Sequence, residues 1–415
     1  MYIKRNIEET IKALSNSFPC IAIYGPRQVG KSTTARILFS NYKYVTLDNI
    51  LDRNLATKNP SLFLDSYGWP LIIDEIQKAP ELMDEIKIRI DNQRFKWLSN
   101  NEERELMYVI TGSNRYSLQK GISDSLAGRC GIIEMLSLSS NEILQKKNYI
   151  FSADINDWLL YERNSSIAYR NKNQIFEDIF NGSMPDIVTG IADRDKYYES
   201  YISTYIEKDI RELIGVGKEI RFLNFLSIIA LRTAQELRYD TLANAVGIDV
   251  RTCKNWISIL QASGLIYLLE PYMSSLSNRI IKAPKLYFTD TGLCSYLCRW
   301  QDALMLENCA MSGAFFETYV VSEILKNLYA YNISPKNCLY YYRDIDQKEV
   351  DLIFIKNDEL YPIEIKKGIN PTKANKNFNV LKKYNKTIKP GLIIDNCDSI
   401  RPINKDAYYL PVSLL

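Results

Sequence analysis

A glycine-rich segment near the N-terminus carries the strongest chemical signal in the sequence. Residues 25–33 read GPRQVGKST and match the pattern GxxxxGK[ST] in full. Glycines let backbone amides turn inward around phosphate groups, and the helix that follows adds the partial positive charge of its N-terminus. In this pattern Lys31 reaches the β- and γ-phosphates of a nucleotide, and the Ser32 hydroxyl is a ligand of Mg²⁺. The expected contact residues are Gly25, Pro26, Arg27, Gln28, Val29, Gly30, Lys31, Ser32 and Thr33.

Two acidic residues close an apolar run that lies about 45 residues further along the chain. The run LIIDE at 71–75 ends in Asp74 and Glu75. A carboxylate at the end of a buried strand beside a phosphate loop holds Mg²⁺ through water, which suits Asp74, and Glu75 would then orient and deprotonate the attacking water. Strands often end in acids, so the pair is specific only because it follows the glycine-rich segment.

Further polar residues are candidates for the same edge of the predicted sheet. Ser113 and Asn114 follow the apolar run LMYVIT and could contact the γ-phosphate or the attacking water, although a simple turn is the alternative. Asp48 ends the run KYVTLD, where a helix N-cap is the alternative. Arg129 in SLAGR is a candidate arginine finger on the nucleotide of a neighbouring subunit, an internal sensor, or a surface ion pair.

Three carboxylates and a lysine near the C-terminus form a second candidate site. Asp351 is a charge in the mostly apolar run EVDLIFI, and Glu364 and Lys366 point away from the apolar face of the next strand because side chains alternate. Glu317 lies on the apolar face of a helix predicted over 313–329. An acid on a buried face is costly unless it meets a partner, so we expect these groups to converge.

The order of these elements resembles the core of the PD-(D/E)xK nucleases, with a helix acid, a strand aspartate and then Glu-x-Lys. The resemblance implies a restriction-endonuclease-like α/β domain in which Asp351 and Glu364 bind a second Mg²⁺ or Mn²⁺. Lys366 would position the attacking water or steady the charge of the phosphate. Val350 stands where the motif has proline, a variation that this group tolerates. The alternative is a structural ion-pair cluster, in which Glu364 pairs with Lys366 or Lys348.

A compact helix–turn–helix pattern lies at about 236–290, between the two candidate sites. Residues 239–248 form a first helix and turn, and Asp249 caps a second helix predicted over 250–262. Segments 265–272 and 285–288 could then be the strands of a wing. The second helix turns three polar residues outward that suit phosphate and base-edge contacts with DNA: Arg251, Lys254 and Asn255. A winged helix that only packs or binds protein is the alternative.

The amino-acid composition excludes several classes of catalytic and metal site. Histidine is absent from the 415 residues, which excludes Ser-His-Asp and Cys-His catalysis and HExxH zinc sites. A net charge of +3 implies no nucleic-acid partner by itself, and 46% hydrophobic against 24% charged residues excludes global disorder. The eight cysteines form no CxxC pair. No signal peptide and no membrane-spanning run is expected, so we predict a protein of the reducing cytoplasm that binds no membrane.

The chain is long enough for two to three domains. Apolar strands at 20–25, 43–48, 70–75 and 106–113 alternate with helical segments, which indicates a parallel α/β sheet buried on both faces. Residues 1–16 are predicted to form a helix, 300–312 a linker, and 372–385 a helix before a strand at 391–395. The predicted domains are 1–150, a helical region 151–300 that contains the winged helix, and 313–415.

The motifs, taken in order, resemble the bacterial and archaeal AAA-type ATP-binding proteins that carry a C-terminal domain of formerly unassigned function. The likeness rests on GPRQVGKST, YVTLD, LIIDEIQKAPEL, ITGSN and SLAGR, and on YISTYIEKDIREL and KAPKLYFTDTGL in the second half. It implies ATP and Mg²⁺ roles for Lys31, Ser32, Asp74 and Glu75, a sensor role for Ser113 and an arginine role for Arg129.

The sequence is compatible with two functions. The first is an ATPase whose nucleotide state controls how the winged-helix and nuclease-like modules engage DNA, including cleavage. The second is a nucleotide-dependent switch or scaffold whose nuclease-like fold is catalytically silent and binds protein. ATP, DNA and further copies of the chain are the candidate partners.

Overall fold

The computed structural model describes residues 2–113, 122–146, 149–164, 169–205, 217–273 and 283–415. The chain divides into two compact units. The first comprises Met1–Leu138 together with Ala262–Gly264 and Tyr329–Ile333, and the second contains the remainder. Within the described ranges no helix is long and apolar enough to span a membrane.

The first unit is built on a parallel five-stranded sheet. Its strands are β1 (Cys20–Tyr24), β2 (Lys43–Thr46), β3 (Leu71–Asp74), β4 (Tyr108–Gly112) and β5 (Cys130–Glu134). The strand order is β2-β3-β4-β1-β5, and every neighbouring pair is parallel. All residues of β1, β3 and β4 are buried, as their unbroken apolar runs predict. The edge strand β5 was not among the predicted strands.

Helices cover this sheet and connect its strands. They are α1 (Glu8–Ser15), α2 (Lys31–Leu38), α3 (Ile50–Lys58), α4 (Pro60–Tyr67) and α5 (Leu82–Asn100). Helix α1 is shorter than the predicted 1–16 and begins at Glu8, where two glutamates in the first turn complement the helix dipole. Short helical turns at Ile76–Lys78 and Ile122–Leu126 follow strands β3 and β4 along the chain.

The second unit begins with a helical region, as predicted. Its helices are α6 (Ser140–Ile143), α7 (Ile155–Asn164), α8 (Lys172–Asn181), α9 (Pro185–Val188), α10 (Arg194–Tyr205) and α11 (Glu219–Ala230). Capping boxes at Ser139 and Asn171 satisfy the first backbone N–H groups of α6 and α8.

A small antiparallel sheet and two helices follow α11. The helices are α12 (Tyr239–Val246) and α13 (Val250–Ala262), and the strands are β6 (Gln235–Glu236), β7 (Ile266–Leu269) and β8 (Lys285–Phe288) in the order β6-β8-β7. The ring of Trp256 lies edge-on to Phe222 and Phe225, with centroids 5.1 and 5.2 Å apart, so α13 packs on α11 through aromatic contacts.

The C-terminal part of the second unit is a six-stranded mixed sheet preceded by helices. The helices are α14 (Thr291–Leu297), α15 (Ala303–Asn308) and α16 (Ser312–Ala330). The strands are β9 (Leu339–Arg343), β10 (Glu349–Lys356), β11 (Glu359–Ile365), β12 (Gly391–Asp395), β13 (Arg401–Asn404) and β14 (Ala407–Pro411). Their order is β13-β14-β12-β11-β10-β9, with parallel pairs only at β11–β12 and β12–β14.

One prediction for this region was wrong, and another was right except for the type of helix. The predicted linker at 300–312 contains α15, because Asp302 caps a helix start by accepting a hydrogen bond from the backbone of Met305. The predicted helix at 372–385 is a 3₁₀ helix, Ala374–Tyr384. The side-chain amide of Asn377 ties this helix to strand β10 by donating to the carbonyl of Glu349 at 2.9 Å.

Candidate functional site

The strand order of the first unit brings the predicted nucleotide residues to one sheet edge. Strand β4 lies between β1 and β3, so Ser113 after β4 stands between the glycine-rich segment after β1 and the acids after β3. Because all these strands are parallel, their carboxyl ends meet on the side where such sheets bind ligands.

The glycine-rich segment forms a tight cradle. Gly25 has φ 153°, and a Cβ there would lie 1.9 Å from the carbonyl oxygen of Met135, so only glycine fits. Gly30 is left-handed, with φ 96°, and precedes the first turn of α2. Lys31 is 6% exposed, and its ammonium donates to the carbonyls of Gly25 at 2.9 Å and Pro26 at 2.6 Å. A backbone cradle with an ammonium at a helix N-terminus fits a phosphate group.

Arg5, which the sequence analysis missed, fixes this segment from the N-terminus of the chain. Its buried guanidinium donates to the carbonyl of Val29 at 2.8 Å, to Leu136 at 2.8 Å and to Ser137 at 3.1 Å. These bonds link the glycine-rich segment to the chain after β5. No sequence motif marks Arg5, because its partners are far away along the chain.

Asp74 lies at the centre of a group of hydroxyl donors. Ser32 donates to its Oδ1 at 2.6 Å, Tyr44 donates to its Oδ2 at 3.0 Å, and Thr111 also donates to Oδ1. Burial, reinforced by the negative charge of Asp74, raises the pKa of Tyr44 to about 12, so this phenol stays a neutral donor. The Ser32 hydroxyl and the Asp74 carboxylate bring together the hard oxygens that Mg²⁺ prefers, so these residues fit the predicted metal role.

Glu75 adopts a strained backbone and lies in a hydrogen-bonded cluster. Its φ of 58° and ψ of 44° are left-handed, which is uncommon for a residue with a side chain. The backbone N–H of Glu75 donates to Thr111 Oγ1 at 3.3 Å. Its Oε2 accepts a hydrogen bond from Ser113 at 3.2 Å and another from the side-chain amide of Gln77. The predicted base and the predicted sensor are therefore in direct contact.

The remaining predicted residues of this unit have other partners or lie outside the described ranges. Asp48 forms an ion pair with Lys78, and the N-cap of α3 is its neighbour Asn49, so the N-cap alternative for Asp48 was wrong. Arg129 forms a two-point ion pair with Asp91 at 2.6 and 2.9 Å, which agrees with the surface ion-pair alternative. Asn114 lies outside the described residues.

Helix α13 has the two faces that the sequence predicts. Asp249 accepts a hydrogen bond from the backbone of Thr252 at 2.8 Å and so caps the helix start. One face is buried and consists of Cys253, Trp256, Ile257 and Leu260. The opposite face is exposed and carries Arg251, Lys254, Asn255 and Ser258.

The C-terminal carboxylates converge as predicted, and lysines meet them. The Lys366 ammonium lies 2.6 Å from Glu364 Oε1 and 3.3 Å from Asp351 Oδ2, and Asp351 also accepts the backbone N–H of Ile365 at 2.8 Å. Although burial opposes the charged form, the carboxylates of Asp351 and Glu364 raise the pKa of Lys366 above its usual range. Lys348 pairs with Asp346 instead, so Lys366 is the described partner of Glu364.

Lys285, a second lysine that the sequence analysis missed, enters this cluster from strand β8. It is 2% exposed, and its ammonium lies 3.0 Å from Glu317 Oε1 and also contacts the carboxylate of Glu349. Tyr287, two residues along β8, donates to the same oxygen of Glu317 at 2.6 Å. A charge in the apolar run KLYF was the signal that could have revealed Lys285, since the same argument identified Asp351.

Burial and mutual repulsion dominate the electrostatics of these acids. Burial and then the negative charge of Asp351 raise the pKa of Glu364 to about 8, and Lys366 only partly offsets them. Glu364 Oε2 is buried and accepts no hydrogen bond from the described residues. Burial likewise raises the pKa of Glu317, against the lowering effect of Lys285.

The cluster does not fit the expected second metal ion. Within the described ranges no three Asp, Glu or Cys side chains are arranged to hold a metal. The Lys366 ammonium instead contacts both expected ligands, Asp351 and Glu364. The divalent-ion site is therefore not supported, and the ion-pair alternative describes these contacts.

Three stretches of the chain match protein-family models. Residues 17–144 match an AAA domain, which contains every predicted nucleotide residue. Residues 172–304 match a domain of unknown function (DUF8612), and residues 312–415 match another (DUF4143). The first match supports an AAA-type domain that binds and hydrolyses ATP, and the other two assign no function.

Two curated relatives span most of this chain. The uncharacterized protein Rv2008c of Mycobacterium tuberculosis is 24% identical over 376 residues, which are 89% of this chain and 75% of that protein. The uncharacterized protein MJ1544 of Methanocaldococcus jannaschii is 27% identical over 416 residues, which are 95% of this chain and 83% of that protein. Neither name states a function.

Solved structures show a more distant likeness. The Walker-type ATPase PABY2304 of Pyrococcus abyssi has a TM-score of 0.42 at 13% identity and covers 71% of this chain and 96% of its own. The ORC2 protein of Aeropyrum pernix has a TM-score of 0.37 at 13% identity and covers 72% and 94%. At these scores no property of either protein is transferred to this chain.

Proposed function

We propose that this protein is a Mg²⁺-dependent ATPase whose nucleotide state controls how its middle module engages DNA. The observation that carries the proposal is the arrangement at one sheet edge of a glycine cradle, the buried Lys31, and two acids in contact with hydroxyl donors. The match of residues 17–144 to an AAA domain supports the ATPase part.

Each residue of this edge has a chemical task in hydrolysis. The backbone amides of residues 25–33 and the Lys31 ammonium bind the phosphates, and Ser32 and Asp74 are the residues that would hold Mg²⁺. When bound, the ion offsets negative charge on the phosphates. Glu75 orients the attacking water and accepts its proton, and Ser113 is placed beside Glu75 to contact the γ-phosphate.

The ATPase proposal is tested by the variant Lys31→Ala. We expect it to abolish ATP turnover, because the ammonium that binds the phosphates is removed. Circular dichroism should show that the variant remains folded. Turnover at the wild-type rate in a folded Lys31→Ala protein would contradict the proposal.

We propose that the region from α11 to β8 is a winged helix that contacts DNA through α13. The order helix, strand, helix, helix and two further antiparallel strands supports this fold. The exposed Arg251, Lys254 and Asn255 support contact with phosphates and base edges in a major groove. A winged-helix fold alone does not establish the partner, so the proposal of DNA contact depends on the exposed polar face of α13.

DNA engagement is tested by fluorescence anisotropy with a labelled duplex, with and without ATP. The double variant Arg251→Ala/Lys254→Ala should weaken binding and reduce the slope of log K against log salt by about 2. The exposed lysines of the first unit give a control of equal charge, Lys58→Ala/Lys96→Ala, which should bind as the wild type does. Equal binding by both double variants, or affinity that ignores nucleotide, would contradict the proposal.

For the C-terminal domain we propose the second function, a nuclease-like fold that is catalytically silent. The strand order and the placement of Glu317, Asp351, Glu364 and Lys366 support the nuclease-like fold. The lack of three metal-ligating side chains among the described residues, together with the contact of Lys366 with both expected ligands, supports silence. We keep the boundaries 1–150, 151–300 and 313–415 as the proposed domains.

Plasmid cleavage decides between a silent and an active site. Under the proposal, the wild type leaves supercoiled plasmid intact with Mg²⁺ or Mn²⁺, with and without ATP. Cleavage that disappears in Glu364→Ala and Lys366→Ala would contradict it and would restore the nuclease function.

A further inference from the structure

Gln77, two residues after the proposed catalytic base, contacts that base. The side-chain amide of Gln77 donates to Glu75 Oε2 and to Ser113 Oγ, the latter at 3.1 Å. We infer that Gln77 is a positioning residue for ATP hydrolysis, which holds the Glu75 carboxylate in its working orientation. The inference rests on the proposed ATPase function.

The backbone around Glu75 is fixed by its own contacts. The orientation of the Glu75 carboxylate therefore depends on hydrogen bonds to its side chain. The left-handed conformation of Glu75 is secured by its N–H bond to Thr111 Oγ1. The next residue, Ile76, is fully buried in the core of the first unit and anchors the 3₁₀ turn Ile76–Lys78. Gln77 therefore projects its amide from a rigid turn, so its contact with the carboxylate is set by the fold.

Ser113 alone cannot hold the carboxylate throughout the reaction. Its hydroxyl has one proton, which it donates to Glu75 Oε2 at 3.2 Å. If Ser113 turns to donate to a γ-phosphate, as proposed, it releases Glu75. The Gln77 amide has two protons, so it can keep its bond to Glu75 while its bond to Ser113 changes. Gln77 thus separates the two tasks of binding phosphate and orienting the base.

The other end of the Gln77 side chain argues against a purely structural role. Gln77 Oε1 is buried, and it accepts no hydrogen bond from the described part of the chain. A glutamine that only joined two segments would have both ends of its amide satisfied. Here the described hydrogen bonds of the side chain go only to Glu75 and Ser113, the two groups assigned to the reaction.

The test compares Gln77→Leu with the wild type in ATP turnover. We expect kcat to fall by about tenfold or more, because a charge-assisted hydrogen bond is lost, while KM for ATP stays within about twofold. Gln93→Leu on helix α5 is the matched control and should keep wild-type kinetics.

A second variant guards against misfolding of the first. Gln77→Glu keeps the shape of the side chain but replaces the amide donor with a second carboxylate beside Glu75. Its kcat should therefore fall at least as far as that of Gln77→Leu, while KM for ATP again stays within about twofold. A folded Gln77→Leu protein with unchanged kcat, or a loss confined to KM, would overturn the inference. A wild type without turnover would overturn the proposed function and this inference together, whereas an active wild type beside an unaffected variant overturns the inference alone.

Discussion

The nucleotide edge and the C-terminal cluster use lysines and carboxylates in opposite ways. At the nucleotide edge, the Lys31 ammonium donates to two backbone carbonyls, while Asp74 and Glu75 accept from hydroxyl and amide groups. In the C-terminal cluster, Lys366 and Lys285 lie directly against carboxylates. The described contacts therefore place a lysine against backbone carbonyls at the first site and lysines against carboxylates at the second.

This difference decides what each site can bind. A phosphate is a stronger acceptor than a carbonyl, so Lys31 can transfer its hydrogen bonds to a nucleotide at small cost. A divalent ion at the C-terminal cluster would have to displace the partly exposed Lys366 ammonium from Asp351 and Glu364. Similar residue types therefore suit catalysis at the nucleotide edge and structural ion pairing at the C-terminal cluster.

The largest effect is expected at the nucleotide edge, from Glu75→Gln. This variant keeps the shape of the side chain but removes the base, so turnover should fall at least about a hundredfold. ATP binding should persist, because Lys31 and the cradle are intact. Turnover and equilibrium binding measured on the same preparation check this, and turnover near the wild-type rate would remove Glu75 from the mechanism.

The next largest effect is expected from breaking the buried ion pair between Lys285 and Glu317 in the C-terminal cluster. Lys285→Met leaves Glu317 buried without its counter-charge, which should lower the free energy of unfolding by about 3–5 kcal/mol. The double variant Lys285→Met/Glu317→Gln should recover part of this loss, because the buried charge of Glu317 is gone and Glu349, which also contacts Lys285, keeps Arg343 as a partner. Urea denaturation measures both.

The control for that experiment is Lys336→Met, an exposed lysine near the same sheet, which should change stability by less than about 0.5 kcal/mol. Equal stability of Lys285→Met and Lys336→Met would show that the buried ion pair is not structural.

The pH dependence of stability sharpens the comparison further. The pKa of Glu364 rises from 4.5 to about 8 on folding, mainly through burial. Between these values the unfolded chain is ionised while the folded chain keeps the proton, so stability should fall as pH rises through this window. The loss attributable to Glu364 is on the order of a few kcal/mol.

The variant Glu364→Gln isolates this contribution. Its melting temperature should decline less between pH 5 and pH 8 than that of the wild type, whereas Glu359→Gln at the start of the same strand should follow the wild type. Parallel melting curves for Glu364→Gln and the wild type would show that Glu364 ionises normally.

The smallest effect on stability is expected for Arg129→Ala. Its ion pair with Asp91 is solvent-accessible, with side chains 24% and 42% exposed, so its loss should cost less than about 1 kcal/mol. Thermal melting checks this. Turnover measured at two protein concentrations tests the alternative that Arg129 acts on the nucleotide of a neighbouring subunit, since only that role makes the defect depend on assembly.

Local sequence patterns were enough to predict much of both sites. The cradle, the strand-ending acids and the two faces of α13 follow from spacing within one element, and the structure places them accordingly. Arg5 and Lys285 were missed because their partners are far away along the chain. Gln77 was missed because its contact with Glu75, two residues earlier, depends on the left-handed backbone of Glu75. The 303–308 helix was missed because the side-chain cap of Asp302 is not visible in an apolar pattern.

The contrast between a lysine that contacts backbone carbonyls and lysines that contact carboxylates depends first on the nucleotide edge. Isothermal titration calorimetry of ATP with Mg²⁺ into the full chain tests this edge most directly. The account predicts saturable binding of one nucleotide per chain by the wild type, retained binding by Glu75→Gln, and its loss in Lys31→Ala. No heat of binding to the folded wild type, or equal affinity in Lys31→Ala, would contradict it.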